Sequence, residues 1–222
     1  MNSDPIIVFG ASGHSRVVID ILESQGHRIL GLVDSFKPSG TKNSEYEVLG
    51  DEYSFKESCY AIDGIRSGVI AIGDNFCRSQ LAQRVLALMP DFTFITAVHP
   101  AAHIAKYVSI GAGTVVMAGA VVNPGSKLGE HCIINTKASV DHDGCLQDFA
   151  SIGPGATLGG NVTIRPFGAV GLGANVIHNI TIGEHSILGA GATLLKDLPD
   201  FSVAWGVPAR VTRTRVAGER YL

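Results

Sequence analysis

The sequence predicts two architectures in series: a small α/β domain with a parallel sheet over residues 1–100, and a parallel β-helix with a C-terminal tail over residues 101–222. Two observations predict this: strand-like and helix-like stretches alternate through the first hundred residues, and from Ile104 to Leu194 an aliphatic residue recurs at every sixth position.

The α/β reading starts from the apolar run Pro5–Phe9, followed by an amphipathic stretch Ser15–Gln25 and a second apolar run Arg28–Asp34. Gly68–Gly73, Phe76–Leu88 and Phe92–Thr96 continue the alternation. The first strand ends in Gly10-Ala11-Ser12-Gly13-His14-Ser15, which opens onto the first helix. Such a turn aims backbone N–H groups and the positive helix end at an anionic ligand above the strand ends. The third glycine of a dinucleotide fingerprint is replaced by Arg16, although Asp34 stands at the end of the second strand where a ribose partner would. A tight strand-to-helix turn with no ligand fits the same glycines.

The period changes at Ile104. Sixteen aliphatic residues follow at six-residue intervals, and four positions after each the side chain is mostly small, as at Thr114, Ala120, Ser126, Ala138 and Ala156. One large and one small residue per hexad describe a coil with flat faces and tight corners, three hexads to a triangular turn and turns stacked about 4.8 Å apart. The register never slips, so no long loop is inserted between turns, and partner surfaces must come from the coil faces. Side-by-side packing of subunits follows. Lys196–Pro199 is expected to break the repeat, and Trp205–Arg210 to begin an extended tail.

Composition narrows the function classes. The 222 residues are 45% hydrophobic and 17% charged, with a formal charge of −3. A global basic field for nucleic acid is missing, and Lys and Arg are scattered. Cys59, Cys77, Cys132 and Cys145 form no CxxC pair, which reads as reduced thiols in a cytoplasmic protein. The N-terminus runs into a strand pattern with no basic leader, so neither export nor a membrane span is expected.

The hexads, together with Gly206-Val207-Pro208-Ala209-Arg210, resemble the left-handed β-helix acyltransferases over essentially all of residues 104–211. Handedness comes from that resemblance. With Gly10–His14, the strand end Ala71-Ile72-Gly73-Asp74-Asn75, and Ile134-Asn135-Thr136 followed by Val140-Asp141-His142-Asp143, the chain is similar to bacterial nucleotide-aminosugar N-acetyltransferases and sialic acid O-acetyltransferases. The resemblance implies a Rossmann-like N-terminal domain that holds a nucleotide-linked amino sugar, and a homotrimer with acetyl-CoA and the active sites between neighbouring coils. It implies acetylation of the 4-amino group of a nucleotide-linked 4-amino-4,6-dideoxysugar in bacterial surface glycan (O-antigen) biosynthesis. The alternative acceptor is the hydroxyl of a sialic acid-type sugar.

Acetyl transfer needs a base, donors for the oxyanion, and a pocket that aligns both reactants. His142 is flanked by Asp141 and Asp143 on the outward side of a coil, and a carboxylate beside a histidine fixes its tautomer and stabilises the imidazolium. The resemblance places the catalytic pair on His142 and Asp143, and the amide for the thioester carbonyl on Gly160. Asn135 is expected to reach the sugar or the amine. Where N-acetylating relatives often carry a second histidine near the acetyl group, this chain has Ser151, which puts the details of thioester binding in question. Gly189 and Ala190 are assigned to the pantetheine arm and Arg210 to the adenosine phosphates. Gly10, Ser12, Gly13, His14, Asp34 and Asn75 are assigned to the nucleotide pocket, although His14 fits equally as a cap of its own helix.

Two other classes fit hexads alone. A β-helical zinc enzyme would need three histidines facing one another between subunits, and a non-catalytic scaffold would need none.

Overall fold

The computed structural model describes residues 5–61 and 64–221. Its first part is a six-stranded sheet built from β1 (Ile6–Phe9), β2 (Ile29–Val33), β3 (Lys42–Asn43), β4 (Tyr46–Gly50), β5 (Ser67–Ile70) and β6 (Thr93–Phe94), in the order β3-β4-β2-β1-β5-β6. All neighbours are parallel except the β3–β4 hairpin. Helix α1 (Gly13–Ser24) buries Val18, Ile19, Ile21 and Leu22 against the sheet, and α3 (Asn75–Leu88) covers the other side through Leu81, Ala82 and Val85. Sequence alternation identifies β1, β2, β5, β6 and both long helices. The β3–β4 hairpin and the short α2 (Glu52–Phe55), which runs on as one wider turn to Tyr60, are found only in the structure.

The second part is a left-handed parallel β-helix of two-residue strands at six-residue spacing. It starts at Ala97–Val98, one hexad before the expected Ile104, and Val98 packs on the same core. The other end is also longer than expected. Lys196–Pro199 does not end the coil: Leu198 bridges Ile182, and Ser202–Trp205 pairs in parallel with Ile187–Leu188. The bridge spans two residues fewer than a full turn, because the missing residues are taken out of a corner and the aliphatic contact is kept.

Three faces result. The first stacks Ala97–Val98, Val115–Val116, Ile133–Ile134, Ser151–Ile152, Ala169–Val170, Ile187–Leu188 and Ser202–Trp205, with Arg210–Thr214 added antiparallel at its edge. The second carries Ser139–Val140 and Thr157–Leu158, and the third Cys145–Leu146 and Thr163–Ile164. The second residue of each pair faces the coil interior: Val98, Ile104 and Ile110 in the first turn are partly buried, and later ones such as Ile134, Val140 and Leu146 are fully or almost fully buried. Burying one such side chain contributes roughly 1.5–3 kcal/mol, and each turn adds its own.

Each corner places one residue at positive φ, which glycine, asparagine and aspartate tolerate and larger residues resist. At the corner between the third and first faces those residues are His131, Phe149, Phe167 and His185. Their rings stack with near-parallel planes, 4.4–5.3 Å between centroids, and Phe201 extends the column. The backbone carbonyls of this column lie outside the coil ladder, and other parts of the chain supply their donors. Arg78 donates from Nε to His131 and from Nη2 to Phe149, Asn75 donates to Phe167, and Arg215 donates to His185. The α/β part and the tail are therefore docked on one corner of the coil by a ladder of buried hydrogen bonds, with Phe76 and Phe94 packed beside the rings.

Candidate functional site

The expected residues separate into four places. His142, Asp143 and Gly160 share the corner between the second and third faces. His142 Nδ1 lies 2.9 Å from Asp143 Oδ2. Asp143 is free to turn back on its neighbour because its own φ is +57°. Asp141, flanking on the other side, is used differently: its Oδ1 accepts from the His142 amide at 2.8 Å and from Asn123 Nδ2 at 3.0 Å, which fixes the turn. The hydrogen bond to Asp143, reinforced by the charge of Asp141, raises the His142 pKa above the ordinary histidine value. With the Nδ1 proton directed at the carboxylate, Nε2 is left as the basic nitrogen.

Gly160 stands one coil turn above, and a Cβ there would overlap the His142 ring. Among the described residues its amide has no partner. Gly160→Ala is expected to swing the imidazole off Asp143 and lower kcat by roughly 10²-fold, with the coil intact by circular dichroism; a misplacement of about 1 Å suffices for that.

A second group lies on the first face. A cavity of about 550 Å³ is walled by His14, Asn135, Ser151, Gly189 and Ala190 together with Tyr221 from the tail. Burial, with the nearby Arg78 charge, lowers the His14 pKa to about 4, so His14 is neutral near pH 7. Its Nε2 is buried without a partner, and the side chain caps nothing. Ser151 Oγ receives a 3.0 Å hydrogen bond from Arg78, which also reaches the Ile72 and Gly73 carbonyls at 2.8 Å. Asn135 is on this face and not beside His142. The absent Cβ of Gly189 makes room for the Trp205 indole.

The third place is a cavity of about 240 Å³ above the strand ends, bounded by Gly10, Asp34 and Phe36, with Arg84 on the far side. Gly10 needs its φ of +107°, and a Cβ would run into the Ala71 carbonyl. Asp34 accepts 2.8 Å hydrogen bonds from the amides of Ala11 and Phe36, and so holds the loop open as a platform. Ser12 and Gly13 form the start of α1, where the Ser12 carbonyl is bound by Ser15 and Asn43. Arg16, which breaks the dinucleotide fingerprint, donates to Asn43 at 2.7 Å and fastens the hairpin.

Two residues fall elsewhere. Asn75 does not line the strand-end cavity: it is buried and donates 2.7 Å to the Phe167 carbonyl, because the start of α3 faces the coil. Arg210 lies at the end of the coil, in a groove of about 400 Å³, apart from Gly189 and Ala190. The sequence reading missed Arg78, Arg213, Arg215 and Tyr221. Only the docking of three separated segments brings them to the cavity.

His142 is at the corner opposite the first face, so within one chain it cannot reach the 550 Å³ cavity. Its side chain is 61% exposed, and Asp143 is 66% exposed. A base this wet is complete only when another surface covers it. Among the described residues no group of three or more His, Cys, Asp or Glu side chains is placed to hold a metal ion, and no helix is long and apolar enough to cross a membrane. His131 and His185 are instead members of the corner stack.

Residues 5–85 match the family described as PglD N-terminal domain. UDP-N-acetylbacillosamine N-acetyltransferase of Bacillus subtilis is 38% identical over 113 residues, 51% of each chain, so the match spans about half the length of that curated relative. The structure of PerB from Caulobacter crescentus in complex with CoA and GDP-perosamine is 34% identical, with a TM-score of 0.88 over 94% of this chain and 97% of that one. The acetyltransferase domain of PglB from Neisseria gonorrhoeae, in complex with acetyl coenzyme A, is 34% identical, with a TM-score of 0.84 over 93% and 98%.

Proposed function

We propose that this chain, which belongs to the sugar N-acetyltransferase family, transfers the acetyl group of acetyl-CoA to the 4-amino group of a nucleotide-linked 4-amino-4,6-dideoxysugar. The observation that carries the reading is the His142–Asp143 pair, with Nδ1 committed to the carboxylate and Nε2 free beside Gly160.

The neutral imidazole takes a proton from the attacking amine while Asp143 stabilises the imidazolium. As the C–N bond forms, the thioester carbonyl becomes an oxyanion that the Gly160 amide can meet. Collapse expels the CoA sulfur, which leaves as thiol with the proton held by His142. The α/β domain, residues 1–100, holds the nucleotide over Gly10 and Asp34, with the α1 N-terminus toward its phosphates. The coil domain, residues 101–222, supplies the acyl-transfer machinery.

Because the cavity and the base lie on opposite sides of one coil, the working unit is a homotrimer in which His142 of the partner subunit faces the cavity with its Ser151 floor. Acetyl-CoA and nucleotide sugars are cytoplasmic metabolites, and the four free cysteines fit that compartment. The product serves bacterial surface glycans of the O-antigen kind.

Thiol release from acetyl-CoA, measured against UDP-, GDP- and dTDP-linked amino sugars and a free sialic acid, tests this. Release with a 4-amino-4,6-dideoxysugar is expected. Release with sialic acid and with no amine would reverse the acceptor, and no release with any would overturn the activity.

A further inference from the structure

The tail is folded back over the first face of the coil and tied there. The Arg215 amide donates to the Phe201 carbonyl at 2.8 Å, and its guanidinium donates to the carbonyls of His185 and Glu219. Arg213 pairs with Glu219 at 2.6 Å. This strap delivers Tyr221 to the cavity wall, its ring against Ala169, Ile187 and Val203 and beneath Arg215. Its phenol oxygen is buried and makes no hydrogen bond of good geometry among the described residues, with the Ser151 hydroxyl and the Asn75 amide as polar neighbours. Leaving a buried hydroxyl unpaired is unfavourable, a penalty that a ligand acceptor removes.

The surroundings define that acceptor. Burial holds the phenol protonated, with its pKa above the ordinary tyrosine value despite the nearby Arg78 charge. Arg78 is itself saturated by carbonyls and by Ser151, so it offers no further donor to the cavity. Ser151, beside the phenol, is itself engaged by Arg78. A protonated phenol in a largely apolar wall is a donor suited to an uncharged carbonyl oxygen on which negative charge develops.

We propose that Tyr221 is a further catalytic residue, whose O–H donates to the thioester carbonyl oxygen of the acyl donor in the first-face cavity. This rests on the acetyltransferase reading above. In the trimer the carbonyl then has two donors, the Tyr221 hydroxyl of one subunit and the Gly160 amide of the next. When the amine attacks, the carbonyl π pair moves to oxygen and is held there by both donors. Collapse restores the C=O bond and breaks the C–S bond.

Tyr221→Phe keeps the ring packing and removes only the hydroxyl. Loss of one oxyanion donor lowers kcat by roughly 10²–10³-fold, while trimer mass and the affinity for acetyl-CoA stay close to wild type. A second readout needs no acceptor sugar: the infrared carbonyl stretch of isotope-labelled acetyl-CoA bound to wild type is expected at lower frequency than in water, and Tyr221→Phe is expected to lose part of that shift. Equal carbonyl frequencies and equal kcat in the two proteins would overturn the role of Tyr221 and leave the acetyltransferase reading standing. Failure of wild type to bind acetyl-CoA would overturn both.

Discussion

Replacing His142 with Asn is expected to lower kcat by roughly 10³-fold, within the 10²–10⁴ that a positioned general base supplies, and to leave folding and acetyl-CoA affinity unchanged. Asn fits the same corner, and the coil interior below it is unaffected, because Val140 and Leu146 rather than residue 142 fill the core. The pH profile provides the sign test. Asp143 and Asp141 raise the His142 pKa, so the acid limb of kcat/KM should lie above the ordinary histidine value, with activity falling as pH drops through it and the imidazole protonates. Asp143→Asn removes the largest cause of that shift. Its acid limb should move to lower pH even as the plateau falls, because the imidazole then loses its fixed tautomer. An unmoved limb in Asp143→Asn, or a fully active His142→Asn, would count against the pair as base and orienter. Thiol release from pH 5 to 9 measures both.

The second large effect is expected in stability. Arg78 is fully buried and donates five hydrogen bonds, to the His131, Phe149, Ile72 and Gly73 carbonyls and to Ser151 Oγ, with no carboxylate among them. Arg78→Leu removes the buried charge but strands all five acceptors at the joint between the α/β part and the coil. A loss of about 3–5 kcal/mol is expected, the range for breaking a buried charged network. Arg78→Lys should recover little, since an ammonium has three donors and none of the planar fork that spans two coil turns. Urea unfolding of both variants checks this; an Arg78→Leu midpoint equal to wild type would show that water replaces the guanidinium. Because Arg78 also holds Ser151 and lowers the pKa of His14, the surviving folded fraction should show a raised KM for the acyl donor.

Tyr221 and Arg78 illustrate what chain order conceals. Tyr221 reads as an aromatic after a charged tail, and Arg78 as a polar residue in the first turn of a helix. Neither has a local pattern that marks it, because Arg78 joins its helix to His131, Phe149 and Ser151, and Tyr221 packs on Ala169, Ile187 and Val203, none of them near in sequence. The corner stack did leave a signal that went unused: His131, Phe149, Phe167 and His185 recur at intervals of eighteen, one per coil turn. An aromatic residue on a corner that favours glycine requires compensation, and the eighteen-residue spacing says that the compensation is stacking.

The coil was legible in the sequence because a β-helix is a one-dimensional object: each hexad contacts only the hexads a turn away, so a local period fixes the fold, its core and the outward placement of His142. The same locality made the His142–Asp143 contact readable, since the two are adjacent residues. The ends of the coil were misjudged: Val98 carries the six-residue period one step earlier, and at Leu198 the period lapses but the aliphatic contact persists. What only the tertiary structure decided is how the elements meet. It put Asn75 against Phe167 instead of the nucleotide cavity, joined His14, Asn135 and Ser151 to a tyrosine from the far end of the chain, and set the base on the side of the coil away from them. These are long-range placements, determined by which buried donors find which unpaired carbonyls, and no periodicity records them.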